Sequence, residues 1–189
     1  SNLKPGETYY VRAYATNSQG TNYGNQQTFT TNSITQASNL QFSSTTDVQT
    51  GISVTVGGGS GRLIIGKLGS SITATPTDGA SYSASLVFGS GTNIGDNTYV
   101  IAESNFTSGT ITGLQSNNLY VFQAFEYTSD GSGGFYYQES PAQNTVTTIK
   151  AAPTTQAYTL DLNDDIRDDS ILVKWNAGNG DRRIVWQIQ

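Results

Sequence analysis

"LKPGETYYVRAYATNSQG", residues 3 to 20, carries the pattern on which the fold turns. Leu3 is followed by a turn pair, Pro5 and Gly6, and then by a stretch in which Tyr9, Val11 and Ala13 alternate with Tyr10, Arg12 and Tyr14, the period of a half-buried strand. The same arrangement recurs without a gap from Leu114 to Phe125: leucine again leads, Ser116-Asn117 takes the place of Pro5-Gly6, and Tyr120 takes the place of Tyr9. Further on, "NSQGTNYG" (17–24) matches "TSDGSGGFYY" (128–137), and "QTFTT" (27–31) matches "NTVTT" (144–148). Each copy therefore reads as strand, glycine-bearing hairpin, strand and a threonine-rich exit.

A second correspondence defines the module boundaries. "TQASNLQF" (35–42) resembles "TQAYTLDL" (155–162), and "ISVTVGGGSGRLIIGK" (52–67) resembles the segment that starts at Ile171, with Val56 set against Trp175. Starts near 34 and 150 divide the chain into residues 1–33, 34–149 and 150–189, expected to be the last two strands of one module, a complete module and the opening strands of a third. With Ser1 in first place and no leader visible, the sequence is expected to be a piece of a longer tandem array.

Composition agrees with an all-β chain. Threonine, serine, asparagine and glycine are abundant, helical periodicity is absent, and no apolar run reaches the ~20 residues of a membrane-spanning helix. Cysteine, histidine and methionine are missing altogether, so disulfides and thiolate or imidazole metal sites are excluded, and no cofactor is expected. The nine basic residues are scattered in a chain of net charge −5, which argues against a nucleic-acid partner, and insertion into a membrane is not expected.

Leucine, turn and tyrosine followed by alternating inward residues resemble the tyrosine corner of immunoglobulin-like sandwiches, with Tyr9 and Tyr120 as the corner residues. With "ITGL" (111–114) ahead of the corner, the chain resembles fibronectin type III repeats, and "LKPGETYYVRAYATNSQGTNYGNQQTFTT", "GGGSGRLIIGK" and "ATPTDGASYSASLVFGSGTNIGDNTYVI" resemble repeats of large surface-exposed bacterial proteins exported by type IX secretion. The resemblance implies tandem immunoglobulin-like β-sandwiches, one complete (34–149) and two partial, carrying strands F and G (1–33) and A to C (150–189). It also implies an extracellular or cell-surface location and an enlarged region between strands C and E, here roughly Leu68 to Ser108. Phe42, Phe88 or Phe122 are expected to fill the space left by the indole that strand B of the middle module lacks.

Candidate sites are few. The run from Asp161 to Asp169, with Asn163, Asp165 and Asp168, is rich in oxygen ligands, but Ile166 and Leu172 stand where a calcium loop needs glycine and glutamate, so a solvated turn is expected. "GGGSG" (57–61) leads from strand to strand and reads as a flexible turn rather than a phosphate cradle. Glu103 and Glu126 can be imagined as a glycosidase couple, but the match to Ala15 places Glu126 near a solvent-accessible rim and no concave pocket is implied, so catalysis is not expected. Tyr136 and Tyr137 are candidate ligand contacts on a loop at the sandwich end. Asn105 lies in an "NFT" sequon, and Ser170 in "DSI" fits the O-glycosylation pattern of the bacteria in question. The expected role is non-catalytic: a spacer or stalk in a long secreted or surface polypeptide, touching neighbouring repeats of the same chain and in addition other proteins or surface polysaccharide. The alternatives are an accessory region of a secreted polysaccharide hydrolase and a filament subunit.

Overall fold

Every regular element among the described residues is a strand. The structure is a computed structural model that describes residues 3–129, 135–161 and 173–182, and the chain divides into two compact units, Ser1–Ile149 and Lys150–Gln189.

In the first unit, β1 (Thr8–Val11) and β2 (Tyr14–Asn17) run out and β3 (Gly20–Tyr23) and β4 (Gln27–Thr30) return, giving the paired ladders β1–β4 and β2–β3. Beyond them, β5 (Ser38–Ser43), β6 (Thr50–Thr55) and β9 (Ser108–Ile111) form a three-stranded antiparallel sheet. The facing sheet holds β7 (Gly61–Leu68), β8 (Tyr99–Ala102), the long β10 (Leu119–Ser129), β11 (Phe135–Tyr137) and β12 (Ala142–Thr147), with β11 and β12 both pairing along β10 on the side away from β7. Between the sheets lies a core of Leu40, Ile52, Ile64, Ile101, Ile111, Tyr120 and Phe122 with smaller neighbours. Side chains alternate along β10, so Tyr120, Phe122 and Ala124 enter this core while Phe125 and Tyr127 face the other way.

That other face is also buried. Leu63, Ile65, Val100, Phe125, Tyr127 and Tyr137 form a second core, covered by Ile72, Tyr82, Ala84 and Ile94 of the connection between β7 and β8. The connection has little regular structure of its own, yet it is stitched down: Ser85 N–H donates to Val100 O (3.2 Å), and Leu86 and Phe88 exchange hydrogen bonds with Thr112 (both 2.9 Å). A sheet buried on both faces explains why β7 reads as the nearly unbroken apolar run Leu63-Ile64-Ile65. The enlarged region is thus a strap that makes the module three layers deep.

In the second unit, β13 (Tyr158–Asp161) pairs with β14 (Lys174–Asn176) and repeats the β5–β6 pair of the first unit. Ser38 opposes Thr55 and Gln41 opposes Ser53, just as Tyr158 opposes Asn176 and Asp161 opposes Lys174, with the same irregularity between. Asn39 and Thr159, equivalent in this register, both take positive φ (49° and 56°). Gly57 and Gly178 make the same close approach: a Cβ would lie 2.3 Å from Thr35 O in one and 2.1 Å from Thr155 O in the other. This register corrects the expected alignment of strand B. Trp175 is the counterpart of Val54, a core residue, and not of Val56, which is exposed.

Candidate functional site

The tyrosine corner is built twice from the same bonds. Tyr9 Oη accepts the N–H of Lys4 at 2.6 Å, and Tyr120 Oη accepts the N–H of Gln115 at 2.8 Å, each reaching five residues back. A threonine closes each corner. Thr31 Oγ1 donates to Lys4 O (2.7 Å) and accepts from Glu7 N–H (3.1 Å), while Thr148 Oγ1 donates to Gln115 O (2.6 Å) and accepts from Asn118 N–H (3.0 Å). The turn between requires a left-handed residue, Gly6 at φ 75° in one copy and Asn117 at φ 57° in the other, and asparagine is the side chain that tolerates that conformation best after glycine. The departure from Pro-Gly to Ser-Asn is therefore conformationally silent. The two phenols differ in cover: Tyr120 is buried between sheets, whereas Tyr9 is half-buried and stacks on Phe29 (5.8 Å).

Tyr120→Phe is expected to lower stability by about 1 kcal/mol, because it removes the acceptor of the Gln115 N–H in a part-buried corner. Tyr9→Phe is expected to cost less, since Tyr9 is itself only half-buried whereas Tyr120 is fully buried. Urea unfolding of the 189-residue chain measures both.

The segment joining the β1–β4 hairpin to the complete module is held by polar contacts. Lys4 Nζ lies 3.3 Å from Glu139 and 3.6 Å from Asp78. Gln138 Nε2 donates to Ile34 O (3.0 Å), and Gln36 Oε1 accepts from the N–H of Glu126 (2.6 Å). A pocket of about 350 Å³ opens here among Lys4, Pro76, Asp78, Phe125, Tyr137 and Glu139.

The most concentrated electrostatics lie next to this joint, in a place that sequence reasoning missed. Glu126 is fully buried and paired with buried Arg62, Nε to Oε1 at 2.8 Å. Its Oε1 also accepts Gly57 N–H (3.0 Å) and its Oε2 accepts Gly59 N–H (3.2 Å), while Arg62 Nη1 donates to Phe106 O. The glycine loop is thus not a slack turn. A Cβ at Gly57 would sit 2.6 Å from Glu126 Cγ and one at Gly59 2.8 Å from Oε2, so only bare backbone can close on the carboxylate. The expectation that Glu126 sits beside solvent is corrected: the loop seals it. With both oxygens engaged and Glu103 exposed, the two do not form a catalytic couple.

Tyr137, a candidate ligand contact, is turned into the second core at 6% exposure, its hydroxyl donating to Ala80 O (2.9 Å). Tyr136 is half-buried on the same strand. Burial, then the neighbouring Tyr82 and Tyr127, pushes the Tyr137 phenol well above the ordinary 10.0. The fold favours its neutral form, so its contribution is intact below the ordinary tyrosine range and is lost as pH climbs beyond it. In a spectrophotometric alkaline titration, Tyr137 is expected to ionise only together with unfolding.

Asn105 is exposed. Ser170 and all of the acidic run except Asp161 lie outside the described residues. Among the described residues no cluster of acidic side chains is arranged to hold a metal ion.

Two facing antiparallel sheets joined through a tyrosine corner define an all-β chain with an immunoglobulin-like β-sandwich. No family model and no curated protein matches the chain. Solved structures similar to it are the FN1-FN3 domains of chicken CNTN1 (15% identity over 78% of this chain and 43% of that one, TM-score 0.38) and domains d3-d4 of the rat CD45 extracellular region (15% over 78% and 67%, TM-score 0.37). The central fibronectin-III array of RIM-binding protein is similar at 12% identity over 90% of this chain and 55% of that one, with a TM-score of 0.36. The chain spans less than half of the CNTN1 segment.

Proposed function

We propose that this chain is a non-catalytic spacer from a long exported polypeptide, placed outside the cell or on its surface by type IX secretion. Residues 1–33 are then the F–G end of one module, 34–149 a whole module with its strap, and 150–189 the A–C beginning of the next. The observation that carries the reading is the corner network, reproduced bond for bond at Tyr9 and Tyr120, because a repeated closure of that kind belongs to repeated modules. The pinned segment at Lys4, Gln36 and Gln138 supports a semi-rigid stack, in which length is the product. Neighbouring repeats are the primary partners, and Glu126, with both carboxylate oxygens engaged, is not available to pair with Glu103 in hydrolysis.

A domain replacement tests this. Deleting residues 34–149 from the parent polypeptide is expected to impair display of its distal parts on intact cells, and inserting an unrelated sandwich of equal length is expected to restore it. Failure of the unrelated sandwich would overturn the spacer reading, as would resistance of the whole polypeptide to protease added to intact cells.

A further inference from the structure

The two faces of the β1–β4 and β2–β3 ribbon differ in kind. One carries Tyr9, Val11, Ala13 and Phe29, counterparts of β10 and β12 residues that meet the inter-sheet core. The other carries, as cross-strand rungs, Thr8 with Thr30, Tyr10 with Thr28, Arg12 beside Gln26, Tyr14 with Tyr23, and Thr16 with Thr21. In the complete module the counterpart of Tyr14 is Phe125, buried beneath the strap. Here Tyr10, Tyr14 and Tyr23 are 69%, 70% and 58% exposed.

The exposed rungs are hydroxyls, amides and phenols, with no aliphatic side chain among them, which does not suit an apolar protein partner. They line an extended strip of about 26 Å from Thr8 to Thr16 at the usual strand rise. Tyr14 and Tyr23 pair at 6.0 Å, and the Arg12 guanidinium is set over Tyr23 at 5.7 Å while Nη2 donates to Gln26 Oε1 at 2.9 Å. Those two contacts orient the planar fork, yet Arg12 pairs with no carboxylate among the described residues and keeps N–H donors for another acceptor. It is the single charge on the strip, in a chain of net charge −5.

We infer that this strip binds a carboxylate-bearing polysaccharide. Sugar rings lie on Tyr10, Tyr14 and Tyr23, threonine and amide groups meet ring hydroxyls, and a uronate carboxylate takes the free edge of Arg12. Phenol faces supply wide contact at small entropic cost, and charge complementarity at one fixed cation gives the preference for an acidic chain.

The test is electrophoresis of the 189-residue chain through native gels containing polygalacturonate or, in parallel, neutral hydroxyethylcellulose, with albumin as the mobility standard. Polygalacturonate is expected to retard the wild type. Arg12→Gln and Tyr14→Ala are each expected to weaken the apparent affinity about tenfold, the loss of one charged hydrogen bond or stacking contact. Arg12→Lys should restore the charge but only part of the binding. Both positions are exposed, and unchanged urea midpoints will show that the fold is intact. Absence of retardation, equal retardation by the neutral gel, or retardation indifferent to both substitutions would overturn the proposal. So would self-association in sedimentation, sensitive to the same substitutions without a glycan effect, which would assign the face to a second copy.

Discussion

Replacing Glu126 with alanine is expected to lower the unfolding free energy by about 3–5 kcal/mol, the usual cost of stranding a charge in a protein interior. Arg62 would keep its guanidinium in the interior, with Phe106 O as its remaining partner, and the Gly57 and Gly59 amides would lose their acceptors in a loop too tight to reorient. The pair itself is a different matter. Desolvating two charges offsets most of their attraction, so the double variant Arg62→Met with Glu126→Leu should recover the larger part of the loss. A second consequence separates a clamp from a simple core contact. Glu126 donates its backbone N–H to Gln36, so loosening it should speed amide exchange at Gly57 and Gly58 and in the segment 35–37 together, Gly58 N–H being bonded to Thr35 O at 2.9 Å. Urea unfolding and hydrogen exchange of the full chain check both. A loss below about 1 kcal/mol, or a double variant no better than the single, would show that the buried pair does not hold the loop.

The corners were legible because they are local. Leucine, turn and tyrosine lie within seven residues, the strand period is two, and the copy at 114–125 lets each position be read against its twin. Asn117 could be read as a glycine substitute for the same reason. The clamp was hidden because Arg62, Glu126 and the glycines meet only through tertiary structure, and Ala15, the twin of Glu126, suggested an open rim. The available signal was a pair of opposite charges near three consecutive glycines in a charge-poor module. Sequence pattern also failed to choose between Val54 and Val56 as the partner of Trp175. A slip of two residues returns every side chain to the same face, so alternation is blind to it and only the backbone ladder decides. The strap was legible as an insertion, but its packing was not, since an irregular segment has no periodicity to reveal the face it covers. The unbroken apolar run of β7 was the sign that a further layer existed.

Phe122→Ala is expected to cost about 3–5 kcal/mol, in the range of large-to-small changes in a packed core. Phe122 is fully buried, tilts against Phe42 at 5.4 Å and stacks near Tyr120 at 6.5 Å. Together with Phe88, which meets Tyr120 edge-on at 5.0 Å, these rings pack in the core between the sheets. The ring fits because the facing strand has no side chain there: a Cβ at Gly66 would lie 2.4 Å from Phe122 Cε1 and 2.6 Å from Cδ1. Gly66 opposes Phe122 in the β7–β10 ladder, so glycine and phenylalanine form one large-and-small pair. Gly66→Val alone should therefore destabilise by overpacking, by about 1–3 kcal/mol, whereas in the Phe122→Ala background the same valine occupies the vacated volume. The two changes are expected to be non-additive, with the double variant more stable than Phe122→Ala, and a double-mutant cycle in urea measures the coupling. If the losses simply add, the core has adjusted around each change independently, and the ring does not owe its position to the bare backbone opposite.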